Sequence, residues 1–183
     1  MTVSVYLGSR PGNDPVHCRN AYTLGRLLAQ AGIAVVYGGA CVGTMGELAR
    51  GVLEEDGSLT GVIPEGFKGR KSYADAGLNV WLEGIPTVET PDFPTRIRTM
   101  EAMCDAFIVL PGSCGTMHEF FSAIEGSVLG RFDKKIAILN TGGYYDPLIQ
   151  LLGNMESEGF TDGDDKRWLI VAATPEDLVD KLK

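Results

Sequence analysis

The chain is short of histidine and cysteine, the residues that build structural zinc sites and disulfides. It holds two histidines, His17 and His118, and four cysteines, Cys18, Cys41, Cys104 and Cys114. No two cysteines stand in a C-x-x-C pair, so the usual spacing of a structural zinc site is missing and four reduced thiols are the simple reading. No apolar run approaches the ~20 residues that cross a bilayer. The start, Met1-Thr-Val-Ser-Val-Tyr-Leu-Gly8, has neither a basic region nor a cleavage site and reads as a strand. No membrane association is expected, and the cytoplasm is the expected location. Basic charge is also short: 16 Lys and Arg against 24 Asp and Glu give a net −8. The basic clusters, such as Lys68-Gly-Arg-Lys71 and Lys134-Lys135, are small. A nucleic acid is therefore not an expected partner, whereas a small anion held by backbone amides and one or two arginines is.

What is present is a globular composition, 183 residues with 44% hydrophobic, which suits one domain over 1–183. Short apolar runs alternate with helical segments. Strands are expected at 3–7, 33–37, 59–63, 79–82, 105–110, 136–139 and 169–171. Helices are expected at 14–31, 43–55, 93–103, 115–129, 146–158 and 175–182. In the first helix Ala21, Leu24, Leu27, Leu28 and Ala31 form one stripe, and Gly32 ends it. The stretch 65–77 is polar and irregular. This alternation predicts an α/β, Rossmann-like fold: a parallel sheet with helices on both faces. Many of the 24 glycines fall where strands end, and in open α/β sheets ligands bind at those carboxyl ends.

The strongest local feature is Asp105-Ala-Phe-Ile-Val-Leu-Pro-Gly-Ser-Cys-Gly-Thr-Met-His-Glu119. A buried strand runs into a glycine turn and then a helix. Free amides at the helix start favour a phosphate, held by Gly112, Ser113, Gly115 and Thr116. Glu119, three residues past Thr116, shares its face and would stand beside a ribose. The plain alternative is a tight turn followed by an acidic residue favoured by the helix dipole. No Gly-Lys-Ser/Thr follows, so this is not a Walker loop. A second loop, Tyr37-Gly-Gly-Ala-Cys-Val-Gly-Thr-Met-Gly46, lacks G-x-G-x-x-G, and no acidic residue closes the next strand. A nicotinamide dinucleotide is thus the weakest reading, and no cofactor is expected. Arg96 and Arg98 point to different faces of their helix, so only one can face the pocket. Arg96 leads the row Arg96, Met100, Met103. Met100 and Met103 offer a contact surface for a second subunit.

On these residues the chain resembles the Lonely Guy family, the cytokinin riboside 5′-monophosphate phosphoribohydrolases and related nucleotide nucleosidases. The hallmark P-G-G-x-G-T-x-x-E stands here as Pro111-Gly-Ser-Cys-Gly-Thr-Met-His-Glu119. The second loop is similar to the family's Y-G-G-G-x-x-G-L-M-G. Gly8-Ser9, Gly142-Gly-Tyr-Tyr-Asp-Pro-Leu148 and Glu158-Gly-Phe160 also match. The resemblance implies hydrolysis of the N-glycosidic bond of a nucleoside 5′-monophosphate, cytokinin-like or AMP-like, to free base and ribose 5-phosphate. It implies Arg96 and Glu119 as catalytic residues, Gly8, Ser9, Gly38, Gly39, Gly43 and Met100 as substrate contacts, and a homodimer. The family's older label, lysine decarboxylase, has no support in the residues, since nothing suggests a pyridoxal-phosphate lysine. The chain departs from the pattern at Ser113, at Ile97 where the family carries Lys, and at Gly126 and Val128 where it carries an aromatic and Gln. An ionised Glu119, favoured by its helix's amino end, would offset an oxocarbenium-like charge. The rival reading is a non-catalytic carrier, for example of a phosphorylated pterin.

Overall fold

In the computed structural model, which describes residues 1–67, 84–161 and 169–183, seven strands lie side by side in one sheet. They are β1 (Thr2–Tyr6), β2 (Ala34–Tyr37), β3 (Leu59–Pro64), β4 (Thr87–Thr90), β5 (Ala106–Val109), β6 (Ile136–Leu139) and β7 (Leu169–Ala172). The order across the sheet is β4-β3-β2-β1-β5-β6-β7 and every neighbouring pair is parallel. From β1 the chain builds outward to β4, then returns to place β5 on the other side of β1. The loops after β1 and β5 therefore diverge at the centre of the sheet, the topological switch point where open α/β sheets bind ligands. Both glycine loops lie at this carboxyl edge, as the sequence predicts.

Period-two alternation divides the core between two faces. Val3, Val5 and Leu7, with Val35, Tyr37, Ile108 and Leu110, pack toward α1 (Val16–Gln30), α2 (Gly43–Glu54) and α6 (Pro175–Leu182). Tyr6, Val36, Val62, Phe107 and Val109 pack on the opposite face toward α3 (Phe93–Ala102), α4 (Cys114–Val128) and α5 (Asp146–Ser157). Helix α3 starts where Asp92 accepts a bond from the Thr95 amide at 2.7 Å, with a proline in the first turn. That cap sets the rotation of α3 and so the direction of Arg96.

Some expectations need correction or fall outside the described residues. The strand β4 was not foreseen, because three of the four residues of Thr87-Val-Glu-Thr90 are polar and it sits at the sheet edge, where only Thr90 is buried. The strand expected over 79–82 lies outside the described residues, as does most of the loop over 65–77. The methionines of α3 do not form an outward surface. Met100 is wholly buried in the second core and Met103 packs against the same cluster, because the row below Arg96 faces the sheet.

Candidate active site

Three loops converge at the switch point. The Thr44 hydroxyl donates to the Gly8 carbonyl at 2.7 Å, and the Met45 amide donates to the same oxygen at 3.2 Å. A side chain at Gly8 would touch Gly112 and Pro111, and one at Gly43 would run into the backbone of Ser9 and Arg10. The loop after β5 is held from its other side by two tyrosines. Tyr145 donates to the Leu110 carbonyl at 2.6 Å and Tyr144 to the Gly112 carbonyl at 2.6 Å. A Cβ on Gly112 would overlap the Thr116 side chain, so the glycine lets Thr116 fold back under the turn.

Ser113 takes the N-cap position of α4 at φ −105° and ψ −159°, and its hydroxyl makes no capping bond. That backbone conformation suits any residue, so serine replaces the family's glycine without strain. The first turn of α4 carries no acidic residue, and Ser113, Cys114 and Gly115 are exposed. Nothing lies within 4 Å of where a Cβ on Gly115 would stand. The amino end of α4 is thus an open, electropositive seat beside a cleft of about 790 Å³, whose floor includes Gly8, Ser9, Thr44, Pro111, Gly112 and Ser113.

Arg96 and Glu119 meet directly. The Arg96 Nη1 donates to Glu119 Oε1 at 2.6 Å and its Nε to the Val62 carbonyl at 2.8 Å. Their side chains are only 5% and 7% exposed. A Cβ on Gly38 would strike the guanidinium, so this glycine makes room for the arginine head. Gly39, at φ +76°, turns the chain in the left-handed region and lies against Ile63. Burial pushes the Glu119 carboxyl above its usual range, against the pull of the Arg96 guanidinium. What favours the ionised form here is the bond from Arg96, not the helix dipole. Glu119 is the sixth residue of α4, and the dipole's influence falls off within the first turn.

The structure thus brings Gly8, Ser9, Gly43, Gly112 and Ser113 together, with Thr116 beneath them and Gly115 at the open helix end. Gly38, Gly39, Arg96 and Glu119 form a second group, toward β2 and β3, that does not line the cleft. Met100 belongs to neither, being core. Sequence reading overlooked Thr44, Tyr144 and Tyr145 as supports. The two tyrosines could have been found in the Gly142-Gly-Tyr-Tyr-Asp-Pro-Leu148 match, since a tyrosine beside a glycine turn often pins it through its hydroxyl.

The chain is similar to known proteins. The profile of the family described as "Possible lysine decarboxylase" matches residues 45–182. A probable cytokinin riboside 5′-monophosphate phosphoribohydrolase of Oryza sativa subsp. japonica is 37% identical over 181 residues, 99% of this chain and 78% of that one. The cytokinin riboside 5′-monophosphate phosphoribohydrolase of Rhodococcoides fascians is 38% identical over 159 residues, 87% of this chain and 77% of that one. The chain belongs to the Lonely Guy family. Among solved structures, a structural-genomics crystal structure superposes with a TM-score of 0.72 at 26% identity, covering 98% of this chain and 96% of the other. The molybdenum cofactor binding protein of Rippkaea orientalis gives 0.69 at 20% identity, covering 98% and 93%, a likeness of fold.

The remaining departures from the Lonely Guy pattern also have local accounts. Ile97 is buried at 5% exposure beside Arg96, so an apolar side chain fills a place where the family carries a cation. Gly126 is required by Phe132, whose ring lies where a Cβ would be. Phe132 in turn packs on Phe107 with ring centres 5.4 Å apart. Val128 is 46% exposed on the outer side of α4.

Proposed function

We propose that the protein hydrolyses the N-glycosidic bond of a nucleoside 5′-monophosphate, cytokinin-like or AMP-like, giving free base and ribose 5-phosphate. One observation carries the reading. The helix whose open amino end offers an anion seat also carries Glu119, one turn past Thr116 on the same inward face, in contact with Arg96. The 5′-phosphate would sit on Gly112, Ser113, Gly115 and Thr116, and Gly8, Ser9, Gly38, Gly39 and Gly43 would bring backbone close to the substrate. The C1′–N bond breaks as water adds to C1′, and the base leaves with a proton. Without substrate, Arg96 and Glu119 neutralise each other. A sugar anchored through its phosphate and drawn against the pair would meet the Glu119 carboxylate, which offsets the developing positive charge. Water is the only co-reactant, so no cofactor is needed. The test is release of base from a panel of nucleoside 5′-monophosphates by wild type and by Glu119→Gln. The expected result is loss of about 10²-fold or more in kcat with binding retained. Equal rates, or no release by either, would exclude the hydrolase.

A second reading, a non-catalytic nucleotide or cofactor carrier, draws on one specific observation. The pair that would do chemistry is almost wholly buried and bonded to itself, whereas the open cleft is lined by other residues. It predicts tight binding without turnover.

We further propose that the protein works as a homodimer in the cytoplasm. Supporting the dimer is the outer side of α4, where Phe121, Val128 and Leu129 share one face and are 37%, 46% and 68% exposed. Among the described residues no helix is long and apolar enough to cross a membrane.

A further inference from the structure

Tyr6 closes β1 with its side chain fully buried and its ring stacked on Phe107, ring centres 5.7 Å apart. It packs in the same cluster as Met100, one turn past Arg96 on α3, and Phe120, the neighbour of Glu119 on α4. The ring therefore lies under the two helices that bring Arg96 and Glu119 together. A phenylalanine would fill the same space, so packing does not account for the oxygen.

The Tyr6 hydroxyl is shut from solvent and has no hydrogen-bond partner among the described residues. Two other buried hydroxyls are paired. Ser4, two residues earlier on the same strand face, donates to the Met100 carbonyl at 2.9 Å, and Tyr145 donates to the Leu110 carbonyl. A buried donor left without an acceptor is costly. Burial pushes the Tyr6 phenol well above its ordinary range, the Glu119 charge adds to this, Cys104 and Glu101 add less, and Arg96 opposes. The phenol thus keeps its proton as a donor, and Glu119 is the charge that acts on it most. Glu119 has an acceptor to offer. Its Oε1 takes the bond from Arg96, while Oε2 accepts none among the described residues. Besides Arg96, the charge of His118 also reaches Glu119.

We propose that Tyr6 is a positioning residue for Glu119: in the substrate complex its hydroxyl donates to Oε2 and fixes the carboxylate, whose remaining lone pairs face the sugar. The inference rests on the hydrolase reading. Tyr6→Phe, which removes one oxygen and keeps the ring, tests it on a nucleoside 5′-monophosphate that releases base. The expected result is kcat lower by about tenfold with KM within about twofold. The acid limb of the kcat profile should move up by about one pH unit, because the carboxylate loses a donor that favours its ionised form. The thermal midpoint should not fall, since the free protein loses no bond. In a Glu119→Gln background the same change should alter kcat by less than about twofold. A further readout needs no turnover. With saturating ribose 5-phosphate, the Glu119 carboxyl carbon followed by nuclear magnetic resonance should titrate about one pH unit higher in Tyr6→Phe. An acid limb and a titration that stay at their wild-type positions overturn the inference alone, even if the variant is slower. A raised titration without base release from any monophosphate sinks the hydrolase and leaves the Tyr6–Glu119 bond standing. Neither base release nor binding of ribose 5-phosphate sinks both.

Discussion

Gly115 and Gly38 are small for different reasons, and each makes a test. Gly115 stands in the first turn of α4 with no atom near its missing side chain, where alanine would favour the helix by up to about 1 kcal/mol. Gly115→Ala is expected to raise stability by about 0.5–1 kcal/mol in denaturant melts while weakening monophosphate binding several-fold, since the methyl enters the anion seat. Gly38→Ala puts a methyl into the Arg96 guanidinium, which is tied to Val62 and Glu119. It should lower kcat/KM about tenfold or more, with fold retained by circular dichroism. Glu119 gives the pH dependence. Burial raises its carboxyl, so the active carboxylate is lost as pH falls through a value above the ordinary carboxylate range. The acid limb of the kcat profile should lie there, and a limb at the usual position for an exposed Glu would contradict the buried pair.

At the scale of elements, what the sequence made legible was whatever local pattern decides. The apolar runs at 105–110 and 136–139 gave β5 and β6 because strands covered on both sides are apolar throughout. Thr87–Thr90 stayed hidden because an edge strand owes its place to pairing with β3 and not to its own composition. The glycine turns were readable, being built from adjacent residues. The burial of Glu119 was not, since it depends on α3 crossing to α4, and Met100 was misjudged because a helical row does not say which way it faces. Gly126 belongs here too. Gly126→Phe, which restores the family's aromatic bulk, should displace Phe132 and cost about 1–3 kcal/mol by overpacking, measured by urea unfolding.

For the whole molecule, a net charge of −8 sets a repulsive field against any phosphate, so recognition must be local, through amides and a few arginines. The apolar face of α4 predicts association. Light scattering at micromolar concentration should give a dimer mass, and Leu129→Glu with Val128→Lys should give a monomer. A monomeric wild type would contradict it. The central claim is that one helix both anchors the phosphate and presents the carboxylate to the sugar. Its most direct measurement is the rate of base release by wild type from a nucleoside 5′-monophosphate and from the same nucleoside without phosphate. A kcat/KM at least about 10²-fold higher with the phosphate is expected, because anchoring positions C1′ against Glu119. Equal release from both, or none from either, would contradict it.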